Sequence, residues 1–208
     1  MAESGAFSRR VFLRSLATAA APAAFFLRAE AICGDTHQGR PQLQPTPAVG
    51  EPLKLTPEET AGPFFKPQSP AKTNFRESGV GGTPVRLSGF VFDLNGNSIP
   101  GVLLDFWHAN DQGEYDFQGY HCRGHQFSDA GGGYALETIV PGLYPGRTRH
   151  FHVRLQAPHG PVLSTQLYFP AESRNQGDSL FRADLLLKLQ KDTTRALATF
   201  NFVIEKNS

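Results

Sequence analysis

Polar and apolar residues alternate in short runs along most of this chain, and turn residues interrupt the runs every few positions. Val85-Arg86-Leu87-Ser88-Gly89-Phe90-Val91-Phe92 reads as a strand, closed by the turn Asn95-Gly96-Asn97. Gly101 to Trp107, Tyr134 to Ile139, Thr148 to Leu155, Ser164 to Phe169 and Ala198 to Ile204 read the same way. Gly131-Gly132-Gly133 and Pro141-Gly142 supply turns between them. Beyond the N-terminal region, only Ser179 to Gln190 could be helical, and its pattern is ambiguous. Many short strands with frequent turns predict an all-β fold, a β-sandwich of mostly antiparallel strands over residues 55–208. Residues 32–54, rich in Pro, Gln, Gly and Thr, read as an extended arm.

The N-terminus changes the picture. Ser8-Arg9-Arg10-Val11-Phe12-Leu13-Arg14 matches the twin-arginine export pattern. The apolar stretch from Leu16 to Leu27 is interrupted by Pro22 and is too short to cross a bilayer. Ala29-Glu30-Ala31 offers an A-x-A cleavage site, so residues 1–31 read as a signal peptide. The expectation is an exported bacterial protein, periplasmic or secreted, with no stable membrane insertion after cleavage. The remainder, about 175 residues, is long enough for one domain with a real core.

Charge is nearly balanced, with 20 Lys and Arg against 19 Asp and Glu, and no block of like charge stands out. That argues against nucleic acid or an anionic membrane as the main partner. Cys33 and Cys122 are the only two cysteines. In an oxidising compartment they could pair, or both could stay as thiols.

The candidate chemistry centres on Tyr115, Tyr144, His150 and His152. His150 and His152 are two apart on a predicted strand, so they share a face with Cα atoms roughly 6.6 Å apart. Phe151 and Val153 then enter the opposite face. Two phenols and two imidazoles offer anionic oxygens and neutral nitrogens, a set that suits Fe(III), whereas zinc more often takes thiolates or a third His. Taken singly, each tyrosine could be a turn-packing residue. His121-Cys122-Arg123-Gly124-His125 could be a second metal site or a polar loop near a pocket mouth.

Four stretches in order carry a resemblance. They are Thr56-Pro57-Glu58-Glu59-Thr60-Ala61-Gly62-Pro63-Phe64-Phe65, Ile99 to Tyr115, Phe127 to Pro145, and Arg147 to His152 followed by Thr165-Gln166-Leu167-Tyr168-Phe169. From about Leu55 onward the chain resembles the intradiol ring-cleaving dioxygenases, the protocatechuate 3,4-dioxygenase and catechol 1,2-dioxygenase group. The resemblance implies a mononuclear non-haem Fe(III) held by Tyr115, Tyr144, His150 and His152. It implies Fe(III)-dependent cleavage of a catechol-type diol with O2 to a cis,cis-muconate-type product. Two tyrosinates and a hydroxide would offset the three charges of the ion, and Tyr144 would leave as base when substrate binds. Arg147 would stabilise developing negative charge, and Gln166 would orient the diol. Two departures stand out: only Pro145 to Arg149 separate Tyr144 from His150, and position 108 is His where relatives often carry Gln. The short loop implies a more open pocket. The absence of a long helical N-terminal segment argues against a helix-mediated dimer but leaves a homo-oligomer open. Two other readings compete: a secreted β-sandwich binding module without chemistry, and an exported zinc hydrolase using His150 and His152 with a carboxylate.

Overall fold

The computed structural model describes residues 53–206, all within a compact unit, Ala48–Ser208. The signal peptide, most of the arm and Cys33 lie outside the described residues. Nine strands form two sheets: β1 Pro84–Phe92, β2 Leu103–Trp107, β3 Arg123–Phe127, β4 Gly133–Ile139, β5 His150–Gln156, β6 Val162–Tyr168, β7 Lys188–Lys191, β8 Ala196–Thr199 and β9 Phe202–Val203. One sheet runs β4-β1-β8-β7, with β9 also pairing β1; the other runs β3-β2-β5-β6. Pairing is antiparallel except for β8 and β9, which run parallel to β1. The sandwich of mostly antiparallel strands is the architecture the alternation predicts.

Alternation sorts each strand between two environments. Val85, Leu87 and Val91 of β1, Leu104 and Phe106 of β2, Leu136 of β4, and Phe151, Val153 and Leu155 of β5 all enter the core between the sheets. The intervening residues of β2 and β5 face the outer side of the four-stranded sheet. There Trp107, Ala109 and Tyr115 form a second buried cluster with Ala61, Phe64, Phe65 and Tyr144 packed against it. The segment from Thr56 to Phe65 lies across that outer side as a cover. Glu59 N–H donates to the Ser164 carbonyl (2.9 Å), Thr165 Oγ1 to the Pro57 carbonyl (2.7 Å) and Gln166 Nε2 to the Thr60 carbonyl (2.9 Å).

Two expectations need correction. Ser179 to Gln190 is not a helix; it holds a short 3-10 turn, Ala183–Leu185, and runs into β7. Leu185 and Leu187 are buried while Leu186 is only half-buried, a period of two that a helix cannot satisfy. His121 and Cys122 form a turn, but Arg123 to His125 are not loop: they belong to the edge strand β3, Arg123–Phe127, paired with β2. No metal-binding group of three or more His, Cys, Asp or Glu gathers anywhere among the described residues. His125 Nδ1 instead sits 2.7 Å from the Ser69 carbonyl, and Cys122 is a buried free thiol.

His108 is buried beside the core, its Nδ1–H donating to the Ala109 carbonyl (2.8 Å) and its Nε2 meeting Thr138 Oγ1 (2.6 Å). Burial pushes its pKa down from 6.5 to about 4. The folded state therefore prefers the neutral ring, and the stability this contributes is complete above pH 6.5 and lost as pH falls toward 4. His108→Gln removes that titration. Between pH 7 and 4.5 the wild-type iron-free protein is expected to lose ~2 kcal/mol more stability than the variant, read by urea unfolding. Equal losses in both proteins would refute it.

Candidate active site

Strand pairing brings the predicted residues together. In the β5–β6 register His150 pairs with Tyr168 and His152 with Gln166, and across β2–β5 Trp107 pairs with His152. Cross-strand partners share a face, so both imidazoles and the Gln166 amide stand on the outer side of the sheet. His150 Nδ1 lies 2.7 Å from the Thr148 carbonyl, which can only accept, so that nitrogen carries the proton and Nε2 keeps its lone pair. His152 Nε2 is 3.1 Å from His150 Nε2, and the Tyr115 hydroxyl is 3.2 Å from the same atom. The His152 ring is held by a stack on Trp107, with centroids 4.9 Å apart and planes 4° from parallel. Its Nδ1 has no hydrogen-bond partner.

Burial keeps these groups uncharged. It pushes His150 down to about 4, and it pushes His152 well below the ordinary imidazole value, helped by His150 and Arg147 nearby. It also raises the Tyr115 phenol above its ordinary value, against the opposing pull of Arg147 and Arg123. Neutral imidazole is the form that ligates a metal, and a cation would reverse the preference of the phenol by stabilising the phenolate. With His152 Nε2 and the Tyr115 hydroxyl each within about 3.2 Å of His150 Nε2, all neutral and buried, the three groups therefore fit a hard cation better than they fit one another. Tyr144 stands at the margin. It is half-buried, with its ring 5.8 Å from that of Tyr115.

The two tyrosines arrive on loops that touch backbone to backbone. Gly113 precedes Tyr115 by two residues and Gly142 precedes Tyr144 by two. A Cβ on Gly142 would lie 2.2 Å from Gly113 N, and one on Gly113 would lie 2.4 Å from the Leu143 carbonyl oxygen. Gly142 N–H donates to the Asn110 carbonyl (2.7 Å), tying the second loop to the first. Phe64 of the covering segment then stacks on Tyr115 at 4.2 Å and meets Tyr144 edge-on at 5.1 Å.

Arg147 and Gln166 also meet. Arg147 Nη2 donates to Gln166 Oε1 (2.7 Å), which takes a second hydrogen bond from Tyr168 Oη (3.1 Å). The guanidinium is anchored from behind by Asp178, with Nε 2.8 and 3.1 Å from the two carboxylate oxygens. Asp178 also accepts from the backbone N–H of Thr148 (2.9 Å) and Leu180 (3.0 Å). Burial alone would raise its pKa, but these N–H donors and Arg147 outweigh it and hold the carboxyl below its ordinary value.

Comparison with known proteins gives this arrangement a family. A sequence model described as Dioxygenase matches residues 60–205. The chain belongs to the intradiol ring-cleaving dioxygenases. A solved relative, the dioxygenase domain of a dioxygenase–carbohydrate-binding protein fusion from the cellulolytic bacterium Streptomyces sp. SirexAA-E, is 50% identical at a TM-score of 0.71, covering 73% of this chain and 99% of that one. Chlorocatechol 1,2-dioxygenase of Rhodococcus opacus is 28% identical over 70% of this chain and 71% of its own length. Hydroxyquinol 1,2-dioxygenase of Nocardioides simplex is 30% identical over 58% of this chain, which spans about half (49%) of that relative. Intradiol chemistry on catechol-type diols is thus the activity of its relatives and the general activity this family supports.

For this intradiol dioxygenase the structure gathers Tyr115, His150 and His152 directly, sets the Tyr144 ring beside Tyr115, and joins Arg147 to Gln166. The zinc-hydrolase reading lacks its carboxylate, since no cluster of three metal-ligating His, Cys, Asp or Glu exists among the described residues. Sequence reasoning missed Asp178, Trp107 and Tyr168. Trp107 and Tyr168 follow from strand register once the pairing is known, whereas Asp178 sits in an irregular polar stretch that carries no periodic signal.

Proposed function

We propose that Tyr115, Tyr144, His150 and His152 hold a mononuclear Fe(III), and that the chain cleaves a catechol-type diol between its two hydroxylated carbons with O2, giving a cis,cis-muconate-type product. The observation that carries this is the approach of both His152 Nε2 (3.1 Å) and Tyr115 Oη (3.2 Å) to His150 Nε2, beside a second tyrosine brought by an interlocked loop. When bound, the ion supplies Lewis acidity that makes both diol hydroxyls acidic and primes the ring for O2.

The protein's own groups do the rest. Tyr144, at the exposed margin of the set, accepts a proton from the incoming diol, while buried Tyr115 stays in place. Gln166, fixed by Arg147, Tyr168 and the Thr60 carbonyl, orients the diol. Arg147 offers its charge where negative charge grows on the substrate. Phe64, Phe65 and Trp107 exclude water from one side. The five-residue turn from Pro145 to Arg149 leaves the Tyr144 side open, which supports a broader range of ring substituents. We also propose export by the twin-arginine route from Ser8 to Arg14. An exported enzyme related to a dioxygenase joined to a carbohydrate-binding protein would meet its diols outside the cell.

The test uses the full chain loaded with iron. Tyrosinate bound to Fe(III) absorbs in the visible, so the protein should be red-brown and change colour when catechol is added without O2. Admitting O2 should then consume it with formation of the ring-opened diacid. A colourless protein that retains no iron, or one that retains iron but leaves catechol intact, would overturn the proposal.

A further inference from the structure

We infer that Asn175 and Asp178 are positioning residues: through Thr148 they fix which ring nitrogen His150 offers to a metal, and with it the pose of Arg147. This rests on the proposal that His150 holds iron and Arg147 faces the substrate, and it assigns a task to two residues that lie behind them.

Residues 145–149 join Tyr144 to His150 and belong to no strand. The stretch from Glu172 to Asp178 grips them instead. Asp178 accepts from Arg147 Nε, at 2.8 and 3.1 Å, and from the Thr148 N–H, at 2.9 Å. Thr148 Oγ1 donates to Asn175 Oδ1 (2.6 Å). Asn175 Nδ2 in turn donates to the Phe169 carbonyl (3.0 Å), which anchors the grip just beyond β6. Glu172 pairs with Arg149 Nε (2.9 Å), and Arg149 Nη1 reaches the Pro141 carbonyl in the loop that carries Tyr144.

Thr148 is thus committed at every polar atom: its N–H to Asp178, its hydroxyl to Asn175 and its carbonyl to the His150 Nδ1–H. Thr148, Asn175 and Asp178 are all buried. An unpaired polar group there costs its full desolvation, so the peptide cannot swivel without losing several bonds together. The Thr148 carbonyl selects the His150 tautomer that leaves Nε2 for an ion. Were the peptide to turn, the proton on Nδ1 would lose its acceptor. The carboxylate that holds the Thr148 N–H also holds Arg147 by Nε, with Nη2 aimed at Gln166. One stretch therefore positions both a metal ligand and a substrate-facing cation.

The experiment uses the full chain. It measures Fe(III) affinity by competition with a chelator, then kcat and KM per bound iron with catechol and O2. Thr148→Val keeps the shape and breaks the bond to Asn175; it should weaken iron about tenfold, the lower end for an outer partner of a metal ligand. Thr148→Ser keeps the hydroxyl and should hold iron as the wild type does. Asp178→Asn should weaken iron at least as much as Thr148→Val. It should also lower kcat per bound iron about tenfold with KM for catechol nearly unchanged, because Arg147 acts where charge develops. A merely structural role would lower the melting temperature and leave iron affinity and kcat per bound iron at wild-type values. That result would overturn the inference and leave the proposed activity standing, and so would a Thr148→Ser protein that loses as much iron as Thr148→Val. If Asp178→Asn does not fold, the two Thr148 variants decide. A wild type that binds no iron would overturn the proposed activity and the inference with it.

Discussion

Tyr115→Phe is expected to fold normally and to lose tightly held iron. The hydroxyl it removes makes one hydrogen bond, to His150 Nε2 at 3.2 Å, so the iron-free protein should lose only ~1 kcal/mol. Its ring keeps the stack on Phe64 at 4.2 Å. The consequence for the ion is far larger. Removing even an outer partner of a metal ligand costs about 10- to 100-fold in affinity, so losing an anionic donor should cost more than ~100-fold. Ring-cleaving activity should fall by more than ~1,000-fold with it. His150→Ala should do the same to iron, and it also leaves a cavity and an unpaired Thr148 carbonyl, so the apoprotein should lose ~2–3 kcal/mol. Metal analysis after dialysis, beside thermal melting, separates the two effects. Full iron occupancy in either variant would remove that residue from the ligand set.

Gly142→Ala should produce the second large effect without touching any candidate ligand. The new methyl would lie 2.2 Å from Gly113 N and 2.5 Å from the Asp111 carbonyl oxygen. Both are backbone atoms and cannot swing aside as a side chain could, so the loops must part. We expect a loss of ~3 kcal/mol or more, measured by chemical denaturation. We also expect the visible band of the iron form to weaken, because separating the loops separates Tyr115 from Tyr144. Gly131→Ala is the control: its Cβ would meet only Asp129 Oδ1, at 3.4 Å, and both stability and colour should hold. A Gly142→Ala protein with wild-type stability and colour would show that the loops do not depend on their close approach.

Much of this was legible in the sequence, for a physical reason. A two-residue period with turns is a local property, and it located most of the strands. It also placed His150 and His152 on one face with Phe151 and Val153 on the other, as the core shows. What the sequence hid is what depends on distant partners. β3 reads Arg-Gly-His-Gln-Phe with its arginine buried and its phenylalanine exposed, so Arg123–Phe127 does not alternate recognisably. The Leu185 to Leu187 run suits helix and strand equally until its neighbours are known. Asp178 has meaning only beside Arg147, 31 residues earlier in the chain. The contact of Gly113 with Gly142 joins two turns that are individually unremarkable.

Strand β1 has a further consequence for how the molecule is made. One of its edges is closed by β4, but the other waits for β8 and β9. Phe90 N–H reaches its acceptor on Asn201 only 111 residues on. During synthesis the ribosome must therefore release nearly the whole domain before the sandwich can seal, and until then an apolar strand stands with one side unpaired. Newly made chains should lean on holding chaperones during that interval, and shortening the wait by circular permutation should raise the yield of folded enzyme.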